Sequence, residues 1–236
     1  MINIYVARHG QDLDNANGIL NGHRNEPLTT LGRQQARDVG NKMLQEGFRL
    51  LPTPAPTKGS SSTISKLIRS VYSSPLERAY ETAQIFAEIL ASEGNYESTN
   101  KVQVLEALIE RDFGIMTGMP TSSILEKCGC NHVLSTDTIH YFLDPHGAET
   151  FPDLIVRAKK LLSYIEKDLG GDGTESTSIL LVTHGDFGKM LYAAYYDLDW
   201  QEVLRQFHFG NSEVLLLAKN SPPEKAHVFE TSQYNS

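Results

Sequence analysis

Apolar and polar positions alternate from the start of the chain. Ile2, Ile4 and Val6 interleave with Asn3, Tyr5 and Ala7, the period of a strand. That run stops at Arg8-His9-Gly10. Gln11 to Pro27 is polar, contains Gly18 and Gly22, and reads as a long functional loop. A helical period follows. Thr29 or Thr30 can cap the helix, Ala36, Val39, Met43 and Leu44 form its stripe, and Gly47 stops it. Residues 51–65 carry Pro52, Pro54, Pro56 and a serine run, the composition of an exposed, mobile insertion.

The pattern resumes with a strand over 67–72. Ser74-Pro75-Leu76-Glu77 predicts a helix start, with Ser74 as N-cap, Pro75 in the first position and Glu77 closing a capping box. Leu76, Ala79, Ala83, Phe86 and Leu90 share one face of that helix. Residues 102–105 predict a short strand and 121–130 a short helix after Pro120. Residues 131–150 read as loop with some helix. A longer helix over 151–169 carries Leu154, Ile155, Ala158, Leu161, Leu162 and Ile165, and the glycines at 170–173 end it. Ile179 to Val182 is a continuous apolar run, as in a strand buried on both faces. It ends in Thr183-His184-Gly185-Asp186 and leads to a helix through Met190, Leu191 and Ala194. Val214 to Leu217 is a last core strand. A polar, loose tail follows Ser221, with an edge-strand candidate near Val228. The alternation of strands and helices indicates an α/β fold.

Composition narrows the picture. The 236 residues fit one domain spanning 1–236, and 40% hydrophobic residues supply a sizeable core. The formal charge of −8 argues against a nucleic-acid partner or an anionic membrane. Any phosphate pocket must be a local cationic patch on an acidic body. Two cysteines give no disulfide framework and point to a reducing compartment. Cys128, Cys130 and His132 lack the second ligand pair of a zinc site, so no metal is expected. No apolar run is long enough to cross a bilayer, and Met1 leads straight into a strand. The expectation is a soluble cytoplasmic protein with a small-molecule partner.

The first strand ends on a cation, an imidazole and a flexible glycine, at the edge where open α/β sheets bind ligands. Imidazole can act as base or nucleophile, and guanidinium grips two oxygens of a phosphate. Arg78 lies in the first turns of a helix whose N-terminus also favours anions. The second buried strand repeats the pattern with His184-Gly185. Four fragments thus stand in order: Arg8-His9-Gly10, Ser74 to Ala79 with Thr82-Ala83, Leu108-Ile109-Glu110, and Thr183-His184-Gly185. Asn15, Leu28-Thr29, Gly32, Gln35-Ala36, Phe113-Gly114, Gly118 and Gly147-Ala148-Glu149-Thr150 fall between them. From Ile2 to about Leu217 the chain resembles the histidine phosphatase superfamily, the phosphoglycerate mutase-like enzymes.

The resemblance implies a three-layer α/β/α fold with a mainly parallel sheet, and His9 and His184 on adjacent central strands. It implies a metal-independent phosphatase with no cofactor. His9 would form a phosphohistidine; Arg8, Arg78 and His184 would bind the phosphoryl oxygens. Asn15 would add a neutral donor, unless it caps the loop. Glu110 would protonate the leaving oxygen and then deprotonate the attacking water. Gln11 stands where the family has Glu or Gln. His23 and Arg24 would rim the pocket and could meet a second charged group; Gln11 and His23 could equally be loop residues. Two positions depart from the family pattern. Asp12 replaces Thr or Ser, so it points away from the phosphate or the substrate is unusual. Asp186 replaces a small residue, and could cap a helix or supply a proton. A cofactor-dependent phosphoglycerate mutase and a catalytically silent phospho-ligand-binding module are the alternatives. Mutases of the family characteristically read Glu-Arg-His-Tyr-Gly at the acid and carry an Arg-rich insertion after it. This chain reads Glu110-Arg111-Asp112-Phe113-Gly114 and lacks that cluster, whereas Gly210-Asn211-Ser212 resembles the phosphatase branch.

Overall fold

The computed structural model describes residues 2–51, 66–91, 102–169 and 177–230. The alternating run at the start forms β1 (Ile2–Arg8), and the apolar run before His184 forms β7 (Thr177–Thr183). They pair in parallel, with Arg8 opposite Thr183. On the far side of β7 lies β3 (Lys66–Ser73), also parallel. Two short strands share the outer edge of β3: β2 (Phe48–Leu50) at its start and β4 (Val102–Val104) at its end. The other edge of the sheet is β8 (Val214–Leu217), antiparallel to β1. The order is β2-β3-β7-β1-β8, with β4 also on β3. Because β1 and β7 are neighbours in register, the residues that follow them, His9 and His184, leave the sheet side by side.

Alternation along each strand divides the core in two. Tyr5, Ala7, Val71, Leu180 and Val182 face α2 (Thr30–Gln45) and α3 (Glu77–Leu90). Ile4, Val6, Tyr72, Ile179, Leu181 and Leu215 face α5 (Phe151–Tyr164), α6 (Gly185–Tyr196) and α7 (Trp200–Gln206). This is the three-layer α/β/α arrangement. Thr29 caps α2 as expected, and Gly47 follows its end at φ 88°. The 151–169 helix closes in a π turn over 165–169.

Several local expectations are corrected. The loop after His9 contains a short helix, α1 (Leu13–Asn17), capped by Asp12 and ended by Gly18 in the left-handed region. The short helix expected at 121–130 does form, as a 3₁₀ turn leading into α4 (Ile124–Cys128). The stretch 131–150 holds a hairpin of β5 (Val133–Ser135) and β6 (His140–Phe142). The box expected at Ser74 does not form. Helix α3 starts at Glu77 with Leu76 as its N-cap: Glu77 N donates to Asn25 Oδ1 rather than to Ser74, whose hydroxyl accepts from Leu76 N at 3.3 Å and meets the buried His184 ring at 2.7 Å. Beyond Ser221 the described chain is not loose. Ala226 is buried, its carbonyl accepts from Leu216 N, and Val228 N donates to Val214 O. The edge strand near Val228 reduces to an isolated bridge between Leu215 and His227. Residues 231–236, and all of the 51–65 insertion after Leu51, lie outside the described residues. Among the described residues no helix is long and apolar enough to cross a membrane.

Candidate active site

The chain turn after β1 is tight because Gly10 packs against the backbone of Gly32 in α2; any Cβ on either glycine would collide with the other strand of chain. Gly10 N donates to Thr82 Oγ1, which fixes the turn to α3 as well. His9 is thereby held with Nδ1 2.6 Å from the Gly10 carbonyl. A carbonyl can only accept, so Nδ1 carries the proton and the lone pair is on Nε2. Burial, then the charges of Arg78 and Arg8, push the His9 pKa well below its usual value. The ring is neutral at physiological pH, the state a nucleophile needs.

The His184 ring stands 5.0 Å from that of His9, tilted by 58°. Its Nε2 meets Ser74 Oγ, and its buried Nδ1 has no hydrogen-bond partner. Its pKa is also pushed well down, by burial first and then by Arg78. If the Ser74 hydroxyl donates to Nε2, Nδ1 bears the proton and points a donor at a missing acceptor. Arg8 is nearly buried and anchors Nη1 on the Phe209 carbonyl at 2.8 Å.

Arg78 is fully buried. It donates to the Arg24 carbonyl (2.6 Å) and the Gly22 carbonyl (2.9 Å), leaving one N–H on each terminal nitrogen for a ligand. Asp12 does not point away from the site. Its Oδ2 lies 3.1 Å from Arg78 Nε and 3.9 Å from His9 Nδ1. Asn21 Nδ2 donates to the same oxygen, and Asn15 N donates to Oδ1. Burial raises the Asp12 pKa, and Arg78 and the two donors oppose that rise. One buried carboxylate therefore offsets one buried guanidinium before any ligand arrives.

Glu110 sits at the amino end of α6. Its Oε1 accepts from Arg111 N (2.8 Å) and Phe187 N (3.0 Å), and its Oε2 from Asp186 N at 3.3 Å. Burial, then the Asp186 charge, raises its pKa. That favours the proton-bearing form a general acid requires. Asp186 does not cap α6; His184 occupies the N-cap position, and its side chain makes no capping hydrogen bond. Asp186 instead accepts from Arg111 Nε at 2.8 Å. The Arg111 guanidinium lies over the rings of Phe113, Phe142 and Phe151. The Glu149 carboxylate grips Arg157, which donates onward to the carbonyls of Ala107, Ile109 and Glu110. The Gly147–Thr150 motif thus braces the loop that carries the acid.

The remaining candidates divide. Asn15 lines the cavity beside Arg8 and Glu110, and its Oδ1 accepts from Asn211 Nδ2. His23 bonds the Glu110 carbonyl at 2.8 Å from the rim loop. Gln11 turns its amide oxygen to Thr29, at the cap of α2, and its backbone N–H to Gln35. A cavity of about 480 Å³ opens beyond Arg8, Glu110 and Asp186. Its walls include Asn21, Phe113, Thr121, Tyr141 and Lys189. Asn21, Tyr141 and Lys189 join the site without a local sequence signal, and Ser74, read from the sequence as a helix cap, joins it through His184. Among the described residues no group of three or more His, Cys, Asp or Glu side chains is arranged to hold a metal.

The family model for branch 1 of the histidine phosphatase superfamily matches residues 4–56 and 60–222. A 2,3-bisphosphoglycerate-dependent phosphoglycerate mutase of Parvibaculum lavamentivorans is 27% identical over 206 residues, 85% of this chain and 83% of its own. Phosphoglycerate mutase-like protein 4 of Arabidopsis thaliana is 30% identical over 192 residues, covering 80% of this chain and 69% of its own. Among solved structures, a mycobacterial glucosyl-3-phosphoglycerate phosphatase superposes with a TM-score of 0.66 at 21% identity, over 92% of each chain. The phosphoserine phosphatase of Entamoeba histolytica, solved with 3-phosphoglyceric acid, superposes at 0.64 and 21% identity, over 100% of this chain and 99% of that one.

Proposed function

Because the chain belongs to branch 1 of the histidine phosphatase superfamily, we propose that it hydrolyses a phosphomonoester of a small metabolite through a phosphohistidine on His9. The observation that carries this reading is the pair of rings. His9 has its proton tied to the Gly10 carbonyl, and the unpartnered Nδ1 of His184 lies across a 5.0 Å ring separation. A phosphoryl group between them would meet a nucleophile and a donor at once.

In the first step His9 Nε2 attacks phosphorus, and the bond from phosphorus to the ester oxygen breaks. Glu110 gives its proton to that oxygen, so the product leaves as a neutral alcohol. Arg8, Arg78 and His184 hold the phosphoryl oxygens, with Asn15 as a neutral donor at the edge. In the second step water attacks the phosphohistidine while Glu110 takes the proton. His9 is restored and inorganic phosphate departs.

The mutase alternative draws on the names of the sequence relatives, whereas both named structural neighbours are phosphatases. Between Glu110 and His184 the chain has two arginines, Arg111 and Arg157. Arg111 is committed to Asp186 and Arg157 to Glu149, both in bracing the acid. Neither is left to grip and turn a phosphoglycerate, which favours hydrolysis over isomerisation. The test is phosphate release across a panel of phosphorylated metabolites in EDTA, with 3-phosphoglycerate isomerisation run in parallel. Phosphate release with isolation of acid-quenched phosphoprotein is the expected result. Isomerisation outrunning hydrolysis, or activity that needs a divalent ion, would overturn it.

A further inference from the structure

Lys189 is a buried cation without a counter-ion. It lies on the second turn of α6 with 5% of its surface exposed, and it lines the cavity beside Arg8, Glu110 and Asp186. Among the described residues its ammonium has one hydrogen-bond acceptor, Tyr141 Oη at 2.6 Å, and no carboxylate oxygen within 4.0 Å. The acids nearest in charge are already engaged. Asp186 receives Arg111, and Glu213 receives Gly210 N and stands within 4.0 Å of His208 and His227.

A buried charge is costly unless it is paired, and an ammonium has three donors. Two of them remain here. Tyr141 accepts from the lysine, so its own O–H is not used in that bond. Tyr141 lines the same cavity. A lysine N–H and a tyrosine O–H thus stand together in one wall, on the side where Glu110 would protonate the leaving oxygen.

We propose that Lys189 and Tyr141 form a second oxyanion subsite, which takes a carboxylate or a second phosphate on the leaving-group half of the substrate. The inference rests on the phosphomonoester reading above and narrows it: the preferred substrate carries a negative charge besides the phosphoryl group being transferred. The site is separate from the transferring phosphoryl group, which Arg8, His9 and His184 surround. It also uses neither Arg111 nor Arg157.

The test separates binding from turnover. In a His9→Ala background, calorimetry compares 3-phosphoglycerate with glycerol 3-phosphate, which lacks the carboxylate, and fructose 1,6-bisphosphate with fructose 6-phosphate. At least one doubly anionic partner should bind about tenfold or more tighter than its singly phosphorylated counterpart, the scale of a charge-assisted hydrogen bond. The pair that discriminates identifies the second anion as carboxylate or phosphate. Adding Lys189→Met should bring the ratio close to one, Lys189→Arg should keep most of it, and Tyr141→Phe should lower it partway. Equal affinities within both pairs overturn the inference without any lysine variant, as does a ratio that survives Lys189→Met. Phosphate release by the unmodified protein is measured separately. Turnover without discrimination removes the subsite and leaves the phosphatase reading; discrimination without turnover does the reverse.

Discussion

Replacing Asp12 by Asn tests whether the phosphoryl pocket is charge-balanced in advance. The two side chains differ by one atom, yet the site cannot absorb the change. Both carboxylate oxygens accept, one from Asn15 N and the other from Asn21 Nδ2, with Arg78 Nε 3.1 Å from the second. An amide offers one acceptor, so its NH₂ must face a donor. Arg78 is also left as an uncompensated buried charge. Breaking one side of a buried pair costs about 3–5 kcal/mol. The Asp12 carboxylate is itself costly to bury, as its raised pKa records, so the lower figure applies. In a protein of this size about 3 kcal/mol corresponds to a fall in Tm of about 6–12 °C. An oxyanion restores the missing charge. Vanadate should therefore raise the Tm of Asp12→Asn by more than it raises that of the unmodified protein, by linkage to a tighter site. Differential scanning fluorimetry with and without vanadate reads both quantities. A variant as stable as the parent, or one with an equal or smaller vanadate shift, would refute the argument.

Glu110→Gln should lower turnover of a sugar phosphate by about 10²–10⁴-fold, and that of p-nitrophenyl phosphate much less in the phosphorylation step. Equal slowing of that step with both, in single-turnover rates, would move the acid role to Asp186. Arg157→Met should loosen the acid's loop and give the same leaving-group dependence in milder form, with labelled phosphoenzyme still trapped; unchanged rates would show that the Glu149–Arg157 clamp is not needed. Burial lowers the Lys189 pKa from 10.5 to about 8, with Asp186, Glu110 and Glu213 opposing the fall and Arg8 adding to it. The lysine is charged below that pH and neutral above it. Selectivity for a doubly anionic substrate should therefore decay as pH rises through about 8, whereas a kcat/KM ratio flat across that range would contradict the assignment.

What could be read from the sequence was what is local. The period of residues 2–8, the apolar run before Thr183 and the stripe of α3 each follow from neighbours a few positions apart. They were enough to place His9, Arg78 and His184 at one edge of a sheet. Contacts across long separations left no mark. Ser74 carries a good capping signal, but Glu77 N bonds to Asn25, 52 residues away, and the Ser74 hydroxyl meets a histidine 110 residues on. Arg111 reads as part of an acid motif, although its partner is 75 residues on. Lys189 is one polar position on a helix whose other buried residues are apolar, aromatic or glycine, and only the hairpin bearing Tyr141 shows what it faces. That hairpin leaves no pattern in the sequence because its strands have three residues each, too few for a period to show.

The place of β7 in the sheet has a consequence for synthesis. β1 and β3 do not pair with each other, because β7 lies between them and bonds to both. A growing chain makes the two flanking strands first and waits more than a hundred residues for the strand that joins them. Until Thr183 emerges from the ribosome, both inner strand edges lack their native partner, and such edges recruit other chains. The same event that closes the sheet brings His184 beside His9. An incomplete chain is therefore inactive and prone to self-association, and chaperone demand should peak while residues before β7 are exposed. Ribosome-bound chains arrested before and after Thr183 has cleared the exit tunnel should differ sharply in protease resistance, with vanadate protecting the longer species alone.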